Sequence, residues 1–222
     1  AEGHLLMERM YVPGETVTYY TGAGWSKWGF ESSQDWFVYM KYFADKNMPF
    51  VFRCVNRLDI GTSGISVIAK HAYAQSILTK QLHTNEFVRK YRAIVCGVVD
   101  KPGFVEAPIA RQRESIILRC ISPDGDYAYT SYRVLENRAN ETLLRLRLKT
   151  GRTHQIRVHM KYIGHPVVND SIYSNRKLFD ETGQCLHAKE LILTHPRTGE
   201  EMRFACDIPD YFKEILELLR KN

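Results

Sequence analysis

The sequence predicts an α+β fold: one extended, mixed but mostly antiparallel sheet with a few flanking helices. Three observations point there. Strand-like runs outnumber helical ones along the 222 residues. One of them, Thr142–Lys149, alternates cleanly with period two. The few helical stretches are irregularly spaced, which argues against a doubly wound sheet. A hydrophobic content of 44% with mixed charge fits a folded chain of a single domain overall. The excess of 31 Lys and Arg over 25 Asp and Glu gives a net charge of +6, which suits an anionic partner without requiring one. Five scattered cysteines without a Cys-x-x-Cys pair exclude a zinc ribbon or a disulfide framework and fit an intracellular protein. No apolar run approaches a membrane span, so no membrane association is expected. The start, Ala1-Glu2-Gly3-His4, lacks a Met and a signal pattern, which suggests a piece of a longer chain.

In order, Thr16–Tyr20 reads as a strand from its β-branched and aromatic residues. Residues 33–46 place Trp36, Met40 and Phe43 at helical spacing, with Ser33 as N-cap and Pro49 beyond the end. Val51–Val55 reads as a buried strand leading into the loop Asn56-Arg57-Leu58-Asp59-Ile60-Gly61-Thr62-Ser63-Gly64, followed by a second strand to Lys70. A loop between strands is where a rigid scaffold aims a reactive side chain. Residues 71–84 form a helix with Ala74, Ile77, Leu78 and Leu82 on one face. Strand 87–97 follows, with Arg89, Tyr91, Ala93 and Val95 on one side and Val88, Lys90, Arg92 and Ile94 on the other. That placement suits Tyr91 as a core residue or as one at the edge of a cleft.

A turn-rich region, with Pro102-Gly103, Pro108 and Pro123-Asp124-Gly125, carries short strands near 115–121. Two strands fill 127–149. In the second, Thr142, Leu144, Leu146 and Leu148 make an apolar face, and Arg145, Arg147 and Lys149 a basic one. Those cations are either plain solvated surface or phosphate contacts. Thr153 is the expected N-cap of a helix carrying Ile156, Met160 and Ile163, stopped by Gly164 before Pro166. Its N-terminal dipole beside Arg152 and Arg157 suits an anion. His154 and His159 are five residues apart and do not share a helix face, so no metal site is expected. A hairpin across Pro196-Arg197-Thr198-Gly199 and an amphipathic helix over 210–220 close the chain.

Four segments together resemble the RluA-like pseudouridine synthases, which isomerise uridine in structured RNA. Asn56-Arg57-Leu58-Asp59 with Thr62-Ser63-Gly64 resembles the family's His-Arg-Leu-Asp loop. Lys90-Tyr91-Arg92-Ala93 resembles the strand bearing its active-site Tyr. Thr150-Gly151-Arg152-Thr153-His154-Gln155-Ile156-Arg157-Val158-His159 with Gly164-His165-Pro166 resembles its most distinctive signature, and Leu186-His187-Ala188 with His195-Pro196 its closing strands. Asn56 replaces the usual His, and Asn169 stands where a Gly usually precedes Asp170. The resemblance divides the chain into a divergent N-terminal part, 1–50, and a catalytic part, 51–222, of one domain with the pseudouridine synthase fold.

The resemblance implies Asp59 as the catalytic carboxylate, Tyr91 as the residue that stacks on the base and takes the C5 proton, and Arg157 as the partner of Asp59. It implies no cofactor and no metal. Arg57 would fill the gap left by a flipped uridine or pair with a phosphate. Arg152, His154, Arg145, Arg147 and Lys149 are the further candidates for RNA contact. Leu191 would line the uracil pocket or be an ordinary core leucine. The expected partner is RNA (ribosomal, transfer or messenger), bound by a monomer. The alternative is a non-catalytic RNA-binding module that keeps the fold.

Overall fold

The computed structural model describes residues 17–23, 45, 47, 51, 53–69, 71–176 and 183–221. In chain order the elements are β1 (Val17–Ala23), β2 (Ser63–Ala69), α1 (Ala72–Gln81), β3 (Val88–Cys96) and β4 (Gly103–Glu106). Then come β5 (Ile109–Arg111), β6 (Arg119–Ile121), β7 (Tyr129–Asn137), β8 (Glu141–Leu148) and α2 (Gln155–Tyr162). The last three are β9 (Leu186–Thr194), β10 (Glu201–Ala205) and α3 (Asp210–Lys221). Among the described residues one sheet has the order β1-β2-β9-β3-β8-β7-β4, with β10 also paired to β9, and β5-β6 form a separate ribbon. β2 and β9 run parallel; the other pairs are antiparallel. This is the mixed α+β architecture expected.

Side-chain alternation builds the core. On β8, Thr142, Leu144, Leu146 and Leu148 are buried while Arg145 and Arg147 are not. Each fully buried leucine contributes about 2 kcal/mol. They join Tyr91, Ala93 and Val95 of β3, Ile156 and Met160 of α2, and Phe212, Ile215, Leu216 and Leu219 of α3 in one cluster. A second cluster gathers Ala74 and Leu78 of α1 with Val67, Leu191, Leu193 and Phe204.

Two expectations need correction or fall outside the description. Val51–Val55 is not a strand: Val51 is exposed, and Cys54 makes only an isolated bridge to Ile68. Two backbone bonds, Val55 N–H to Val67 and Ala69 N–H to Arg53, hold it against β2 instead. The helix expected over 33–46 lies outside the described residues but for Asp45.

Chain crossings fix the position of the Asp59 loop. At the start of β2, Gly64 (φ +115) lies so close to the backbone of Ala188 that a Cβ has no room. Gly164 also has a positive φ, +85, but open space around it. Gly164→Ala is therefore expected to cost only the left-handed strain, about 1 kcal/mol. Gly64→Ala adds displacement of β9 and should cost at least about 2 kcal/mol more. Urea unfolding of the two variants measures the difference.

Candidate active site

The Asp59 loop is locked from both ends. Asn56 is buried; its Oδ1 accepts the Val67 N–H at 2.9 Å and its amide faces the Ile65 carbonyl at 3.5 Å. From the other side, Gln184 donates to the Ile60 carbonyl at 3.0 Å and the Thr62 hydroxyl at 2.7 Å. Asn56 thus anchors the loop to β2. It does this through its amide, a job that requires no imidazole.

Beneath the loop is a cleft of about 440 Å3. Asp59, Arg57, Tyr91, Arg152 and His154 line it, as do Val55, Leu58, Leu82, Leu148, Ile156 and Leu186 as an apolar wall. Arg57 is exposed at its mouth. Arg152 is held there by the Tyr127 carbonyl at 3.0 Å and by Asp126 at 3.4 Å. Tyr91 comes from β3, where the pairing with β9 shifts register between Lys90 and Tyr91, so that Lys189 is the extra residue. Such bulges re-aim side chains beside functional sites.

Arg157 sits behind the cleft wall, 3% exposed, with its Nη1 3.7 Å from Asp59 Oδ2. Its firmer partner is Asp170, which accepts from Nε at 2.7 Å and from Nη2 at 2.8 Å. The Asp170 carboxylate also accepts the N–H groups of Ile172 and Tyr173. Burial alone would raise the Asp170 pKa, but the Arg157 hydrogen bonds and charge and those two N–H groups outweigh it and hold the carboxyl below its ordinary value. Asn169, just before it, has φ +62. That left-handed conformation explains why Asn can stand in the place of a Gly: its short polar side chain tolerates it.

The signature around α2 divides its work. Gln155 Oε1 accepts the Thr150 hydroxyl and the Arg152 N–H, and its amide donates to the Tyr129 carbonyl and the Thr130 hydroxyl. His159, fully buried, bridges Thr130 (2.9 Å) and the Ala107 carbonyl (3.0 Å). Burial lowers its pKa, so it stays neutral. These residues dock α2 on β7 and on the loops that hold Ala107 and Thr150. The Arg152 N–H is therefore spent inside the fold, which weakens the expected anion cradle at the helix start. The N-cap is His154 (φ 57), one residue beyond the expected Thr153. His154 Nδ1 lies 2.9 Å from the Tyr173 hydroxyl, which itself accepts the Arg119 N–H.

The structure brings Asp59, Tyr91, Arg57, Arg152 and His154 to one cleft, with Arg157 behind. Arg145, Arg147 and Lys149 do not join them. They belong to the opposite face of the sheet, because Leu148 between them faces the cleft. Leu191 is also absent from the lining: it is 2% exposed in the α1 cluster, and Leu148, Leu186 and Ile156 supply the apolar wall.

Sequence reasoning missed Arg89. It shares a strand face with Tyr91, is 8% exposed and lines the cleft, and its guanidinium makes no hydrogen bond or ion pair among the described residues. Gly151 leaves room for its guanidinium; a Cβ there would collide with Nη1. Burial lowers the Arg89 pKa. Burial also raises that of Tyr91, with Asp59 adding to the rise and Arg89 opposing it. The alternation of β3 was the signal that could have found Arg89.

Residues 32–162, more than half of the chain, match the family model for RNA pseudouridylate synthase. The chain belongs to that family. Residues 1–49 also match a model for a domain of unknown function. The uncharacterized RNA pseudouridine synthase YlyB of Bacillus subtilis is 44% identical over 169 residues, covering 76% of this chain and 56% of that protein. Ribosomal large subunit pseudouridine synthase D of Haemophilus influenzae is 42% identical over 181 residues, with the same coverage. The chain thus spans just over half the length of these relatives. Human RNA pseudouridylate synthase domain containing 4 shares the fold, with a TM-score of 0.76 over 99% of this chain at 22% identity.

Asp170→Asn leaves the Arg157 charge buried with its main partner neutral. The expected loss is about 3 kcal/mol of stability at pH 7. The Asp170 pKa is lowered by folding, so its contribution is present above the unfolded value near 4 and is lost as pH falls through the folded one. The gap between the two proteins in chemical denaturation should narrow as pH drops below about 4.

Proposed function

We propose that this cleft converts uridine in structured RNA to pseudouridine, with Asp59 as the catalytic carboxylate. The observation that carries the reading is the meeting of three side chains from separate elements: Asp59 from a loop, Tyr91 from β3, and Arg157 from α2 behind them. Family membership supports it, as do relatives named for this activity.

The reaction breaks the N1–C1′ bond, turns the uracil and joins C5 to C1′. The nucleotide must leave its stack to expose C1′, at a cost of a few kcal/mol. Arg57, exposed at the mouth, is placed to fill the gap. The Asp59 carboxylate then acts on the sugar, by adding to C1′ or by taking the C2′ proton. Both routes need its oxygens aimed at the sugar, and Arg157 orients them from behind without occupying substrate space. The detached uracil is confined between Tyr91 and the leucine wall. Tyr91 takes the C5 proton after the new bond forms, its own hydroxyl proton having passed to the uracil N1 that the cleavage set free, so protons balance across the isomerisation. Arg89 opposes the burial that makes tyrosinate costly, and its vacant guanidinium is a seat for a uracil carbonyl or the nucleotide's phosphate.

Tritium release from RNA labelled at uridine C5 tests this reading, with EDTA throughout. The intact chain should release label and Asp59→Asn should not. Tyr91→Phe should be slower by about 10²–10⁴-fold. Equal release by the Asp59→Asn protein would refute the assignment. No release by the intact chain with RNA binding preserved would favour the non-catalytic module. Separately, Arg89→Gln removes a charge-assisted hydrogen bond worth about 1.5–3 kcal/mol. It should therefore weaken kcat/KM by about 10–100-fold while the fold, read by melting temperature, stays intact.

A further inference from the structure

We propose that the back of the sheet, the face turned away from the cleft, is a second RNA-binding surface that takes a single-stranded segment. It extends the RNA reading above to a site the isomerisation chemistry does not use.

Arg89, Tyr91 and Leu148 line the cleft, so their neighbours Lys90, Arg92 and Arg147 project from the other face of the pleat. The strand register then stacks cations in two rungs. Arg92 lies opposite Arg145, and Arg145 opposite Arg133. One rung away, about 6.8 Å along the strands, Lys90 is opposite Arg147, Arg147 opposite Ser131, and Ser131 opposite Phe104. Lys90 is paired with Glu190 at 2.5 Å. Arg92, Arg133, Arg145 and Arg147 have no ion pair among the described residues. The nearby carboxylates are otherwise occupied or at the edge: Glu136 pairs with Arg138, and Glu106 lies opposite Tyr129.

Like charges directly opposite on a sheet are destabilising. Here burial, and after it Arg145, lower the pKa of Arg92, with Glu190 opposing. A fold carries such a row at a cost in stability, and a polyanion laid across it removes the repulsion. A groove of about 520 Å3 runs over Lys90, Arg133, Arg145 and Arg147. At its edge Phe104, 60% exposed, stacks on Tyr129 with centroids 5.4 Å apart, and the Lys149 ammonium lies 5.8 Å over the Tyr129 ring. An exposed ring beside a cation track suits unpaired bases; the bases of a duplex are stacked on each other and out of reach.

The test is fluorescence anisotropy with a labelled 12-residue RNA that lacks uridine, beside a 12-base-pair RNA duplex, on the full chain. The single strand should bind with an affinity that falls with salt. R145E/R147E should weaken it by at least about 10-fold and flatten the salt dependence. Phe104→Ala should weaken the single strand about 5-fold or more and leave the duplex unchanged. Arg145→Gln should raise the melting temperature, because it relieves repulsion; a merely structural arginine would lower it. Asp59→Asn should bind as the intact chain does. Unchanged binding by R145E/R147E overturns the proposal, as does a duplex bound as well as the single strand. Tritium release does not enter this readout, so loss of the isomerase reading and loss of this one are distinguishable.

Discussion

One guanidinium serves two carboxylates. Arg157 is fixed by two short bonds to Asp170 and turns its remaining nitrogen toward Asp59 at 3.7 Å. A buried charge pair is costly to assemble, and removing one member is costlier still. The rest of the site is organised to meet that cost. Asp170 is steadied by two backbone N–H groups after a left-handed Asn169, and the Tyr173 ring lies 5.1 Å from the Arg157 guanidinium carbon. Gln155 and His159 hold the helix that carries Arg157 against the sheet. What reaches the cleft is an oriented positive charge behind a half-exposed carboxylate, prepared before any substrate arrives.

The same two strands serve both faces of the sheet. On β3 the odd residues Arg89 and Tyr91 go to the cleft, and the even residues Lys90 and Arg92 go to the back. β8 repeats the division with Leu148 against Arg145 and Arg147. Vacant arginines therefore stand on both sides: one deep and isolated beside Tyr91, the others arrayed and partly solvated. Their physical roles differ accordingly. The deep one gains most from a single precisely placed acceptor, and the array from a flexible chain of phosphates.

Much of this was legible in the sequence. Period-two alternation identified β3 and β8, and hydrophobic spacing with a stopping Gly164 found α2 to within one or two residues. The family signature brought Asp59, Tyr91 and Arg157 together, although they lie far apart in the chain. What stayed hidden depended on tertiary contact. The docking roles of Gln155 and His159 were hidden because nothing local shows that Thr130 and Ala107 will bond to them. Asp170 lies 13 residues after Arg157, and only the fold closes that gap. Leu191 and Leu148 are equally apolar; the sheet decides which one meets the cleft. The basic face of β8 was visible, but its separation from the cleft required the register of Arg147 with Lys90.

The most direct test of the account is the turnover of Arg157→Lys. Lysine keeps the charge but lacks the planar fork that binds Asp170 and faces Asp59 at once. If orientation by that fork governs the site, kcat for pseudouridine formation falls about 100-fold while RNA affinity stays unchanged. Turnover at the rate of the intact chain, in a variant that still folds, would mean that charge alone suffices and would contradict the account.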